Sequence, residues 1–370
     1  MNAYLHIPFC TSICSYCDFT SFAGQESKMS RYLDALGAEV ERSTLAGPLQ
    51  TVYFGGGTPS LVPPDPLKKI LWTLGQKAGF DPRAEISMEA NPETVDFKKM
   101  EDYRGLGINR LSFGAQAFQK EILKKLGRGH EWDRVERAFL HARQAGFQNI
   151  NLDLMFGLPG QTLAMFQASV ERALSLSPDH LSLYALQVEE GTPLYRQVQE
   201  GLTLPSEDEI ADEYAWAQEA LRRAGYEQYE VSNFAREGKS CRHNWNIWRG
   251  EDYWGFGVSA VGTVKGVRHS HGDDLGEYIQ TTLQGKGPVL QEEVLSAPVQ
   301  TLEKLMLNFR TRDGVLKSEV EGYARKMGLT YESRFARLQK EGFLSLSEGR
   351  YRVTSKGFFV LNGILESLVA

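Results

Sequence analysis

The sequence predicts an α/β fold in which six strand–helix units close into a (β/α)6 barrel or an incomplete one. Two observations predict it. Apolar or β-branched runs alternate with helical stretches through the first two-thirds of the 370 residues, and alternating βα units imply a parallel sheet with right-handed crossovers. Each run also ends in polar or Gly-rich residues. In a β/α barrel that end of the strand carries the active site.

The first strand falls at 3–9 (AYLHIPF), and the helical stretch MSRYLDALGAEVERST follows it. The second is TVYFGGG (51–57), followed by PDPLKKILWTLGQKAG. AEISMEAN (84–91), NRLSFGAQ (109–116) and NINLDLMFGLPG (149–160) come next, each with its own helix, and HLSLYALQ (180–187) is the sixth. Several helices end in Gly, which tolerates the left-handed C-cap. A further helix at 206–225 has Ser206 as its N-cap, with acids in its first turn. The stretch after it is rich in aromatics and Gly, with short strand candidates and no helical period. It reads as an extension packed onto the barrel. From about 298, three helices, a β-hairpin turning at Glu348-Gly349 and a last helix form a small winged-helix-like α+β domain. The expected division is therefore 1–230, 231–297 and 298–370.

Composition excludes several classes. A net charge of -6 gives no reason to expect a polyanion partner for the whole chain. Residues 297–370 hold 12 Lys/Arg against 8 Asp/Glu, a net of +4. That permits nucleic-acid binding without arguing for it, so no nucleic acid is expected. No apolar run is long enough to span a membrane. The opening MNAYLHIPFC has neither a basic nor an apolar leader region, and four cysteines are not a disulfide framework. A reducing cytoplasm is the expected location, and there clustered thiolates point to a metal.

Cys10, Cys14 and Cys17 are that cluster, spaced C-x3-C-x2-C on the turn after the first strand. Zinc is one reading, but structural zinc sites take four ligands. Cys241 is remote in sequence, and His6 falls within the strand. An iron–sulfur cluster is the other reading. It accepts thiolates, and three of them leave one iron open.

The motifs YLHIPFC…CSYCDF, GGGTPS, EANPE, LSFGAQAF, GRGH, NLDLMFGLPGQT and CRHN…W, in this order, resemble those of radical S-adenosylmethionine (SAM) proteins of the HemN/HemW branch. The resemblance covers nearly the whole chain. It implies a partial (β/α)6 radical SAM barrel with a HemN-type C-terminal domain. It also implies a [4Fe-4S] cluster on Cys10, Cys14 and Cys17, whose open iron binds the amino and carboxylate groups of SAM. One electron from the cluster then cleaves the sulfonium bond to give methionine and a 5′-deoxyadenosyl radical. By the same resemblance, Tyr4 contacts SAM near the cluster and Tyr16 packs beside the adenine or a second SAM. Gly56, Gly57 and Thr58 bring backbone to the methionyl end, and Glu89 accepts hydrogen bonds from the ribose or amino group. Gln116, Arg128 and Asp153 correspond to contacts of a second SAM, and Ala185 lines that pocket.

The branch includes oxygen-independent coproporphyrinogen III dehydrogenases, which turn propionates into vinyls with two SAM, and haem chaperones. The dehydrogenases carry another Cys two residues after the third, where this chain has Phe19, and a long N-terminal extension. Here the first cysteine is already residue 10. Both differences favour the chaperones. Their H-N-x-x-Y-W motif, proposed to bind haem, is matched by HNWNIW (243–248) with Ile247 in place of Tyr. His243 is then a candidate axial ligand and Cys241 an alternative thiolate, and a hydrogen-bonded structural histidine is the competing reading. His269 and His271 read as loop residues. The resemblance implies haem as cargo and a haem-requiring respiratory enzyme as partner. A haem donor protein, peripheral membrane contact and a monomer or cluster-dependent dimer complete the expectations.

Overall fold

A computed structural model describes residues 1–128, 132–288 and 290–369. Six parallel strands stand side by side in chain order: β1 (Asn2–Ile7), β2 (Leu49–Gly56), β3 (Phe80–Ala90), β4 (Arg110–Gln116), β5 (Ile150–Phe156) and β6 (His180–Ala185). Helices α1 (Met29–Arg42), α2 (Pro64–Ala78), α3 (Phe97–Gly105), α4 (Lys120–Lys125), α5 (Trp132–Gln144) and α6 (Leu163–Ser175) lie between them in the chain. The expected partial barrel is therefore observed. Helix α7 (Glu207–Arg223) starts at Ser206, whose hydroxyl accepts from the Glu209 amide while the Glu209 carboxylate accepts from the Ser206 amide.

Alternation along the strands sorts side chains between two environments. Ala3, Leu5, Ile7, Val52, Phe54, Leu111, Phe113, Leu152, Leu154, Leu181 and Leu183 point one way and are fully buried in the main core. Each of these side chains larger than Ala stabilises the fold by roughly 1.5–3 kcal/mol. The intervening residues are polar: Asn2, Thr51, Glu85, Ser87, Arg110, Ser112, Asn151, His180 and Ser182, all buried. A parallel sheet covered on both faces ordinarily reads as a continuous apolar run. Here the concave face is polar, and the barrel has a polar lumen.

The segment expected to pack onto the barrel instead continues its sheet. β7 (Tyr253–Phe256) pairs in parallel with the free edge of β1, and β8 (Val261–Val264), β9 (Val267–His271) and β10 (Leu290–Val294) follow antiparallel. Asn233–Ala235 pairs antiparallel with β6 at the other edge. Helix α8 (Arg242–Trp248) closes the lumen beneath the N-terminal ends of the strands. It is held there by Asn246 Nδ2 donating to Asn2 Oδ1 at 2.8 Å and by two amides on Glu85.

The C-terminal part contains α9 (Ala297–Phe309), α10 (Lys317–Met327) and α11 (Glu332–Lys340). With them are three short antiparallel strands, Val315–Leu316, Leu344–Ser347 and Arg350–Val353. The hairpin turns where expected, with Glu348 and Gly349 both at positive φ. No helix among the described residues is long and apolar enough to cross a membrane.

Candidate cluster and nucleotide site

The loop after β1 is tied down along its length. The Cys17 amide donates to the Cys14 carbonyl at 3.2 Å, the Ser15 amide to Leu126 O at 3.1 Å, and the Leu194 amide to Ser15 O at 2.8 Å. His6 Nε2 meets Thr20 O at 2.8 Å and its Nδ1 meets the Tyr4 hydroxyl at 3.0 Å. Cys10, Cys14 and Cys17 are free, half-buried thiols on the wall of one cavity of about 480 Å³. Burial raises the Cys10 and Cys17 thiols above their ordinary value. Metal binding would reverse this by holding the thiolates.

The last two glycines of GGG are required by β1 and the start of this loop. A Cβ on Gly57 would lie 2.8 Å from Phe9 O and 2.9 Å from Cys10 Sγ. Gly56 has φ +119°, and a Cβ there would sit 2.7 Å from the His6 ring. Thr58 follows, its hydroxyl 3.5 Å from Cys10 Sγ.

Glu89 ends β3 at the cavity. It accepts from the Tyr53 hydroxyl at 2.8 Å and the Gly56 amide at 3.2 Å. Burial pushes its carboxyl up to about 7, and the nearby Asp153 charge adds to the rise. Asp153, on β5, accepts from Asn151 Nδ2 at 2.7 Å and Ser112 Oγ at 3.0 Å, and burial raises it as well. Across the mouth, Arg128 donates to Gly114 O at 3.0 Å and to the Tyr16 hydroxyl at 3.3 Å. Gln116 is held at φ 64°, outside the usual range for a non-Gly residue. Its Oε1 and Arg128 Nε are buried with no partner among the described residues. Unpaired buried polar atoms are costly, and both of these residues line the cavity, where a polar ligand would satisfy them.

One cavity therefore gathers Cys10, Cys14, Cys17, Tyr16, Gly56, Gly57, Thr58, Glu89, Gln116, Arg128, Asp153 and Ala185. Three expected residues are not brought to it. Tyr4 stands behind the wall, its ring stacked with Tyr53 at 6.2 Å. Cys241 and His243 lie at the lumen floor, fully or almost fully buried. His243 Nδ1 is 2.8 Å from Thr51 Oγ1, its ring stacks on Tyr53 at 5.1 Å, and burial drives it down to about 3. Burial pushes the Cys241 thiol up to about 12, and its Sγ is 3.5 Å from Glu85 Oε1. Neither lines the cavity: His243 Nδ1 is held by Thr51, and its Nε2 is buried with no hydrogen-bond partner among the described residues. His269 and His271 are strand rather than loop residues: they lie on β9, with His271 Nδ1 2.5 Å from Gly257 O. Gly129 and His130 of the GRGH motif lie outside the described residues.

Sequence reasoning missed Tyr53, Arg110, Ser112, Asn151, Ser182, Tyr184 and Asn244, which also line the cavity. A signal existed for most of them. Polar residues two apart, as in Arg110/Ser112 and Asn151/Asp153, mark an inward polar face.

The donor set discriminates between metals. Among the described residues, no three His, Cys, Asp or Glu side chains converge to hold a single ion. The three thiols line a common wall, and the carboxylates of that cavity do not converge with them on a single point among the described residues. This fits a polynuclear cluster, whose ligands surround a larger body, better than a zinc ion.

Comparison with known proteins agrees. Residues 4–173 match the Radical SAM superfamily and residues 295–360 the HemN C-terminal domain. The chain is 36% identical over 370 residues to "Heme chaperone HemW" of Bacillus subtilis (strain 168), covering 98% of this chain and 97% of that one. The chain belongs to the radical SAM superfamily, in its HemN/HemW branch. "Heme chaperone HemW" of Escherichia coli (strain K12) is 32% identical, with 100% of this radical SAM chain and 98% of the relative covered. A Danio rerio relative, "Radical S-adenosyl methionine domain-containing protein 1, mitochondrial", is 31% identical over 100% of this chain and 86% of its own. Among solved structures, Escherichia coli "Coproporphyrinogen III oxidase (HemN)" superposes with a TM-score of 0.83 at 25% identity, covering 99% of this radical SAM chain and 89% of that one.

Proposed function

We propose that this protein is a haem chaperone. In this reading it holds a [4Fe-4S] cluster on Cys10, Cys14 and Cys17 and binds SAM in the adjoining cavity. It carries haem to a haem-requiring respiratory enzyme. The observation that carries the reading is the end-to-end likeness to curated haem chaperones, reaching 36% identity. Phe19 supports it: where a dehydrogenase has another thiol, this chain exposes 67% of an aromatic side chain beside the cluster loop.

When bound, the cluster supplies one electron to the sulfonium of SAM. The chain's own residues prepare the site. Gly56 and Gly57 let backbone approach where any Cβ would collide. Glu89, held by Tyr53 and the Gly56 amide, offers a carboxyl that is charged or neutral near pH 7, suited to an ammonium or a ribose hydroxyl. Arg128 and Gln116 bring unsatisfied polar atoms to the mouth, toward a second SAM or the far end of the first. Cytoplasmic location and peripheral contact with a membrane-bound acceptor follow from the delivery role. So do a haem donor protein and a monomer or cluster-dependent dimer.

The structural likeness to HemN favours coproporphyrinogen III dehydrogenation as the second reading. Two assays separate them. The anaerobically reconstituted protein should bind haem, seen as a Soret shift, and pass it to haem-free membranes of a respiratory enzyme. It should not rescue an anaerobic strain lacking the dehydrogenase. Absence of haem binding, or rescue of that strain, overturns the proposal.

A further inference from the structure

Helix α8 is a partition between two cavities. Asn244, in its first turn, lines the cluster cavity. Ile247 and Trp248, at its other end, line a second cavity of about 1020 Å³. This second space lies between α8, the added strands β7 and β8, and helices α9 and α10. Trp248, Tyr253, Met306 and Tyr323 contribute aromatic and thioether surface to its wall. The hydroxyls of Tyr253 and Tyr323 have no hydrogen-bond partner among the described residues.

The charges around it are unevenly satisfied. Glu303 is paired with Arg268 at 2.6 Å, and Glu319 with Lys304 at 3.9 Å. Arg310 and Lys326 also line the cavity, and neither has a carboxylate partner among the described residues. Arg310 is half-buried, 5.9 Å from the Trp248 ring, and burial lowers its pKa. Its Nη1 donates to the Met306 carbonyl at 2.8 Å, and its charge has no anion among the described residues. The carboxylates Glu251 and Asp252 lie on the turn after α8, on a different wall element from these two cations.

We infer that this second cavity is the haem site: the macrocycle lies against Trp248 and Tyr253, and the propionates meet Arg310 and Lys326. The inference rests on the chaperone reading above and replaces its least accessible part, the floor residues His243 and Cys241. The cavity exceeds drug-sized pockets in volume, as a macrocycle requires. No His or Cys lines it, so the iron donors within reach are phenols and a thioether. Tyrosine is an established haem ligand; burial raises the Tyr253 phenol above its ordinary value, Arg268 opposes that rise, and iron binding would hold the phenolate. Because α8 stands between the cavities, haem and SAM bind together rather than in competition.

The test is a haem titration of the full-length, cluster-reconstituted protein, followed at the Soret band with and without saturating SAM. Gly322 lines the cavity from α10, and a Cβ there meets nothing within 4 Å, so a larger side chain enters open space. Gly322→Trp should weaken haem binding by about tenfold or more. Lys326→Glu, at an exposed position that leaves the fold intact, should weaken it about threefold. Both should keep wild-type SAM affinity, which also verifies folding. Wild-type haem affinity in either folded variant, or displacement of haem by SAM, overturns the inference while leaving the chaperone reading in place. Failure of the wild-type protein to bind haem overturns both.

Discussion

Two glutamates on one strand show how the two ends of the lumen differ. Glu85 and Glu89 lie four residues apart on β3 and face the same interior. Glu85, at the floor, accepts from the Arg242 amide at 3.0 Å and the His243 amide at 3.1 Å. These are first-turn donors of α8, which no intrahelical carbonyl can satisfy. Its valence is spent on the chain itself. Glu89, at the mouth, has only Tyr53 and Gly56 as donors among the described residues and faces the open cavity. The same side chain is a structural cap at one end and a ligand-ready carboxyl at the other. What decides between them is whether backbone donors arrive to meet it.

Removing the thiols tests the contrast most severely. Cys10→Ala, Cys14→Ala or Cys17→Ala should abolish the cluster, with bound iron and sulfide falling to near zero. Cys241→Ala at the floor should leave both at the wild-type level. Loss of iron from the Cys241 variant would break the distinction. Next is Gly57→Ala. Its Cβ must displace the Phe9 carbonyl or Cys10, costing about 1–3 kcal/mol in denaturant unfolding and reducing cluster content.

The two glutamates should then respond with opposite sign. Glu85→Gln should destabilise the fold by about 1–2 kcal/mol and leave SAM affinity unchanged. Glu89→Gln should weaken SAM binding yet stabilise the apoprotein at pH 8 by on the order of 2–3 kcal/mol. The sign follows from linkage. The folded carboxyl of Glu89 titrates at about 7 against 4.5 unfolded, so the folded state holds its proton more tightly. Its contribution is fully present below pH 4.5 and is lost as pH rises through about 7. The variant's advantage should therefore grow across that window, measured as unfolding free energy against pH. The smallest effect is expected from Tyr53→Phe. Its hydroxyl stabilises the ionised Glu89, so its loss should move the pH midpoint of SAM binding up by roughly one unit.

Much of the mouth was legible because it is local. C-x3-C-x2-C, GGGTP and the acid of EANPE each sit within a few residues of a strand end, and strand ends in a β/α unit converge on one face. The floor was not legible. HNWNIW offers an imidazole between tryptophans, and nothing nearby in sequence says that Asn246 will reach Asn2 or that His243 will stack on Tyr53. Tyr4 was placed at the ligand because it precedes the loop, but its neighbour Tyr53 takes the position at the cavity. The added strands escaped for the same reason: β7 finds its parallel partner, β1, some 250 residues earlier.

By itself the sequence determined the βα repeat, the thiol loop at the end of the first strand, the glycines that admit it and the small C-terminal domain. These rest on periodicity, spacing and steric need, which act over short stretches of chain. The tertiary structure alone decided which polar residues are spent on one another and which are left open. It turned α8 into the wall between the cavity of the thiol loop and a larger one. Those outcomes depend on which donors from distant segments arrive at a given side chain, and no local pattern encodes that.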